Sequence, residues 1–71
     1  MRRVGAHKVI TQDQELTLAV VEICGDRVVN YYSFTDELPM TVWLGGVIAL
    51  KRDAEGIMHA WQNNIMITED I

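Results

Sequence analysis

Apolar residues come in short β-branched and aromatic runs broken by polar clusters, a pattern that predicts strands rather than helices. Arg2 to Thr11 predicts a first strand, ending at the polar cluster Gln12 to Glu15. LTLAVVEI, Leu16 to Ile23, and RVVNYYSF, Arg27 to Phe34, predict a second and a third. Between them Gly25 can take the positive φ that a type II′ turn needs at its first central position, with Asp26 second. A two-residue loop there pairs Ile23 with Val28, Glu22 with Val29, Val21 with Asn30, Val20 with Tyr31 and Ala19 with Tyr32. One face of this hairpin then carries Thr17, Ala19, Val21, Ile23, Val28, Tyr32 and Phe34; the other carries Leu16, Leu18, Val20, Val29 and Tyr31. A sheet with one solvated face alternates apolar and polar, so two apolar faces predict cover on both sides.

TDELP, Thr35 to Pro39, reads as a loop, with Pro39 biasing Leu38 towards extended geometry. The uncharged stretch TVWLGGVIAL, Thr41 to Leu50, follows. As a helix it is about half the length that crosses a bilayer, and each interior glycine costs roughly 1 kcal/mol against alanine. Gly45-Gly46 is better placed at a bulge or bend, with a strand Val47 to Arg52 after it. The loop DAEG then returns the chain as Ile57 to Gln62, setting Ile48 opposite Trp61, Leu50 opposite His59 and Arg52 opposite Ile57. Ile65 to Thr68 predicts a short sixth strand. The expected architecture is one all-β domain over residues 1–71, a small antiparallel barrel or sandwich of five or six short strands.

Composition adds a question of stability. A chain of 71 residues buries only about 60% of the surface its unfolded form exposes. Its single cysteine, Cys24, allows no internal disulfide, which leaves dense packing or a second chain. Hydrophobic residues make up 49% of the chain, more than so small an interior readily hides. A homo-oligomer or another protein is the expected partner, with Tyr31, Tyr32 and Trp43 as interface anchors. The net charge of −4 and pI near 4.9 argue against nucleic acid. Arg2, Arg3 and Lys8, the one basic cluster, read as a solvated strand. MRRVGAHKVI starts positively, but His7 and Lys8 interrupt its apolar stretch, so no signal peptide or membrane segment is expected, and the reading is a cytoplasmic chain or a piece of something larger.

The residues that could carry chemistry are few. His7, His59 and Cys24 lack the HxH, HxxxH or CxxC spacing that sets two metal ligands on one element, and His59 reads as a satisfied structural histidine. Cys24 has carboxylates as neighbours, which disfavour the thiolate. Ser33 lacks the glycine-flanked turn that exposes a hydrolase serine. The pairs Asp36 and Glu37, Asp53 and Glu55, and Glu69 and Asp70 fall in turns or at the terminus, where carboxylates serve solubility and turn formation. Gly45-Gly46 has no following Lys-Ser/Thr to hold a phosphate. The expectation is a non-catalytic binding or assembly module with no metal, cofactor or catalytic residue. A small-molecule pocket lined by Trp43, Trp61 and Tyr32 is the alternative the aromatics allow.

AHKVITQDQELTLAVVEICGDRVVNYYSF, Ala6 to Phe34, resembles the opening β segment of amidohydrolase-type metal-dependent hydrolases. There a strand of the kind A-x-x-V-I-T-x-D leads into a strand, a glycine turn and a return strand, forming a small β-sandwich beside the catalytic barrel. The family's proline-glycine turn and D-x-H-x-H metal motif would follow the hairpin, and TDELPMTVWLGG stands there instead. The resemblance therefore implies an accessory β unit, and no metal or catalytic residue carries over.

Overall fold

The computed structural model describes residues 1–36 and 41–69. Its strands are β1 (Arg2–Ile10), β2 (Glu15–Cys24), β3 (Arg27–Ser33), β4 (Thr41–Trp43), β5 (Val47–Arg52), β6 (Met58–Gln62) and β7 (Ile65–Ile67). They form one sheet in the order β3-β2-β1-β5-β6-β7, with β4 also paired to β1. The domain is all-β, and among the described residues no helix is long and apolar enough to cross a membrane. The loop expected at Thr35 to Pro39 lies partly outside the described residues.

Three details of the expected architecture change. There are seven strands among the described residues rather than five or six, the addition being β4. The sheet is open rather than a closed barrel, and β4 and β5 run parallel to β1, not antiparallel. The β1–β2–β3 meander uses one edge of β1, so the chain must return to its other edge. It re-enters with Thr41 beside Arg3 and runs in the direction of β1. A parallel pairing is the result.

The glycine pair sits where expected, at a bend. β4 pairs with Arg3, Val4 and Gly5, and β5 with Lys8, Val9 and Ile10, the register slipping by one residue between them. Gly45 and Gly46 take φ of 70° and 60°, the left-handed region. The bend stays tied to β1: Leu44 and Gly45 donate their N–H groups to the Gly5 carbonyl at 2.8 and 3.2 Å, and Lys8 donates to the Gly46 carbonyl at 3.1 Å. An L-residue in this conformation costs about 1–2 kcal/mol. Gly46→Ala is therefore expected to lower stability by about that much, read as a drop in the thermal midpoint; an unchanged midpoint would contradict the bend's role.

Both hairpins depart from the expected register by one residue. In the first, Ile23 faces Val28 as predicted, but a bulge leaves Val29 unpaired, and Glu22 faces Asn30, Val21 faces Tyr31 and Val20 faces Tyr32. A slip of one residue reverses every side chain beyond it. Tyr31 therefore joins Val21 on the core face, and Tyr32 joins Val20 on the other. In the second hairpin Ala49 faces Trp61, Leu50 faces Ala60, Lys51 faces His59 and Arg52 faces Met58. Asp53 closes a wider loop than DAEG alone. Its N–H donates to the Ile57 carbonyl at 2.9 Å, and its Oδ1 accepts from Glu55 and Ile57 at 2.8 and 3.0 Å. Ile57 is thereby drawn into the turn, which an aspartate bonding its own following backbone favours.

The core lies on one face of the folded sheet, around Val4, Ala6, Val21, Ile23, Ile48 and Leu50. Along β1 the core positions step by three, not two, between Ala6 and Val9; along β2 they do so between Leu16 and Ala19. Leu18 absorbs the change with a φ of 53°. The two ends of the open sheet are then brought together by polar contacts rather than by strand pairing. Glu69 N–H donates to the Gly25 carbonyl at 2.7 Å, its carboxylate accepts from Gly25 N–H at 2.8 Å, and the Met1 ammonium caps the same carboxylate. Arg2 Nη1 donates to the Thr68 carbonyl at 2.9 Å beside them.

Candidate functional site

The sheet face opposite the core carries two cross-strand rows. Tyr32, Val20, Gly5 and Trp43 lie in register across β3, β2, β1 and β4, and Asn30, Glu22, Arg3 and Thr41 form the next row. Gly5 has no side chain, and the Trp43 indole occupies its place: a Cβ built on Gly5 would lie 2.9 Å from Trp43 Cε3. Covering a strand glycine with a neighbouring aromatic restores the apolar contact the glycine lacks. Val20 is fully buried beside it although it lies outside the core cluster.

Trp43 is held on two sides. The His7 ring meets it edge-on at 4.9 Å between centroids, and Phe34 does so at 6.4 Å. Both geometries are the favoured T-shaped kind. Gly46 N–H donates to His7 Nδ1 at 3.1 Å, which puts the lone pair on that nitrogen and fixes the ring against the glycine bend. Gln62 Nε2 donates to the Gly45 carbonyl at 2.9 Å and steadies the bend from β6. Trp43 nevertheless remains 49% exposed, and Leu18 on β2 is 42% exposed. Tryptophan is one of the side chains in which the binding energy of protein interfaces concentrates.

The neighbouring row supplies polar groups. Arg3 Nε donates to Glu22 Oε2 at 3.2 Å, and the Tyr32 hydroxyl donates to the same oxygen at 2.7 Å. The hydrogen bond to Glu22, reinforced by desolvation and by the carboxylate charge, raises the Tyr32 phenol above its ordinary value. Tyr32 is therefore expected to ionise at higher pH than a free tyrosine, and Glu22→Gln to bring it back towards about 10. Carbon-13 NMR of the ring carbon bearing the hydroxyl reads this directly; equal midpoints in the two proteins would contradict the contact.

Of the residues expected at an interface, Tyr32 and Trp43 share this outer face and Tyr31 does not. The bulge at Val29 turns Tyr31 towards the core, where it borders an open cleft of about 460 Å³ with Ile10, Leu50 and Met58. The pocket of Trp43, Trp61 and Tyr32 is not assembled. Trp61 borders a separate cleft with Lys51, Asp53, His59 and Asn64, and neither Trp43 nor Tyr32 reaches it. Gly5, His7 and Glu22 are parts of the site that reading the sequence missed. The available signal was a glycine inside a strand, which calls for a close neighbour. Cys24 is exposed, and among the described residues no three His, Cys, Asp or Glu converge as a metal site would require.

No protein-family model and no curated protein matches the chain. Among solved structures its fold is similar to part of N-acetyl-D-glucosamine-6-phosphate deacetylase from Mycobacterium smegmatis, with a TM-score of 0.59 and 24% identity over 70% of this chain. The chain spans 15% of the length of that protein. The resemblance of residues 6–34 to amidohydrolase-type hydrolases thus holds at the level of fold, as a likeness to a small part of one such deacetylase.

Proposed function

We propose that this chain is a non-catalytic accessory β unit of an amidohydrolase-type metal-dependent hydrolase, working by packing against a larger catalytic part. The observation that carries this reading is the fold likeness to 15% of a deacetylase chain. An eight-stranded barrel with its helices takes about 250 residues, and these 71 residues fold as something else. The cytoplasmic location expected from the sequence belongs to the same proposal. Two measurements test it. The purified chain, supplied with zinc or iron and N-acetylglucosamine 6-phosphate, is expected to release no acetate; steady release would overturn the non-catalytic reading. Tagged at its own locus, the chain is expected to be recovered within or bound to a metal-dependent hydrolase. Recovery as a free 8.1 kDa species would overturn the accessory reading.

A second reading, self-association through the outer face, is favoured by the exposure of Trp43. Sedimentation at micromolar concentration decides it. A dimer that Trp43→Ala converts to monomer supports it, and a monomer of 8.1 kDa removes it.

A further inference from the structure

His59 lies where two turns meet. Its residue is 8% exposed, with the β2–β3 turn on one side of the ring and the β5–β6 loop on the other. Nδ1 contacts the Asp26 backbone carbonyl, and Nε2 lies 2.8 Å from Asp53 Oδ2. Both partners are acceptors. The carbonyl has no proton to give, and Oδ1 of Asp53 already accepts two backbone N–H groups, an arrangement that favours the ionised carboxylate. A neutral imidazole has one N–H and one lone pair. It could satisfy one acceptor only, and would set its lone pair against the other. The imidazolium alone donates to both.

We infer that His59 is a protonated staple joining the Asp26 carbonyl to the Asp53 carboxylate, and that its deprotonation loosens the β2–β3 turn from the β5–β6 loop. The inference is independent of the accessory-unit reading. It gives the polar closure of the open sheet a pH dependence.

The charged groups around the ring are of both signs. Asp26 faces it from the β2–β3 turn and Asp53 from the β5–β6 loop. On β5, Lys51 is its cross-strand partner, and Arg52 is engaged with the Gly56 carbonyl at 2.8 Å. Trp61 on β6 and Asn64 beyond it border the same cleft and are uncharged. The hydrogen bond to Asp53, then that to the Asp26 carbonyl, outweigh desolvation and raise the imidazolium pKa; the same contact lowers that of Asp53. A raised folded value means that the contribution is complete below about 6.5, the unfolded histidine value. It disappears as pH rises through the folded value. Asp53 sets the acid limit, because its contribution is present above the ordinary carboxylate value and is lost as pH falls through its depressed one. The Met1–Glu69 tie at Gly25, with its lowered carboxylate and raised ammonium, is a second polar closure beside the staple.

Nitrogen-15 NMR of the histidine rings in the intact chain tests the staple. At pH 6 both His59 ring nitrogens are expected to carry protons. Exchange of the Arg27 amide, next to the turn and corrected for its intrinsic pH dependence, is expected to rise about tenfold across the His59 midpoint, the scale of losing one charge-assisted hydrogen bond. In Asp53→Asn that midpoint is expected at lower pH. A lone pair on either His59 nitrogen at pH 6, or flat exchange through the midpoint, or a midpoint unmoved in Asp53→Asn, would overturn the inference.

Discussion

Ile48→Ala is expected to remove a large part of the stability of this fold. Ile48 is fully buried on β5, opposite Val9 of β1 and within the core cluster. β5 is the strand through which β6 and β7 join the rest of the sheet, since β1 lies on its other side. Truncating a buried isoleucine to alanine costs about 2–5 kcal/mol, the range reflecting how far the cavity collapses. At 0.05–0.15 kcal/mol per residue, a domain of this size has roughly 4–10 kcal/mol in total. The loss is thus between a fifth and all of what holds the chain folded. Chemical denaturation measures it, with Ile65→Ala as the comparison, because Ile65 is 69% exposed and surface changes stay within about 0.5 kcal/mol. Equal costs at the two positions would mean that β5 does not join the halves of the sheet through this core.

Strand positions were readable because they follow from local chemistry. β-branched runs bounded by turn residues marked six of the strands, and Gly45-Gly46 marked the bend, where both glycines take positive φ. Register was less readable, and the two errors share a cause. Val29 and Ile57 are each taken out of pairing, one by a bulge and the other by the Asp53 carboxylate reaching two residues further than a minimal loop. Neither residue differs in kind from its paired neighbours. An apolar side chain is equally at home in a strand and at a bulge beside one, so the count of residues in each hairpin is decided by tertiary packing. The parallel partners of β1 were hidden for a related reason: strand direction depends on where the chain re-enters, and no residue type records that.

The candidate site was legible only in part. Trp43 and Tyr32 were marked by side-chain type, whereas Tyr31 was misplaced by the same bulge that moved the register. His59 was read as a satisfied structural histidine, and both of its ring nitrogens do have partners. That both partners are acceptors depends on two turns meeting in space, which no spacing along the chain foretells. His7 was weighed only as a metal ligand. Its place beside Trp43 follows from β4 lying parallel to β1, a pairing between residues almost forty positions apart.

Gly5→Val should dislodge Trp43 and, with it, the outer face on which any docking role depends. A Cβ at Gly5 falls 2.9 Å from Cε3 and 3.3 Å from Cζ3 of the indole. Those atoms belong to a rigid ring rather than to the end of a flexible chain, so the ring must move as a whole. His7 and Phe34 hold it at both sides, and Gly5 itself is fixed in the central strand. Overpacking of this kind costs about 1–3 kcal/mol. The strand preference of valine opposes it, by roughly 0.5–1 kcal/mol relative to glycine. The net effect in the wild-type background is therefore a loss, with the tryptophan fluorescence shifting towards that of a solvated indole. In a Trp43→Ala background the obstacle is gone and the same substitution should become neutral or stabilising. Residues in contact couple by about 0.5–3 kcal/mol in such double-mutant cycles, and distant ones do not. A Gly5→Val effect that is the same with and without Trp43 would show that the indole does not rest on this glycine.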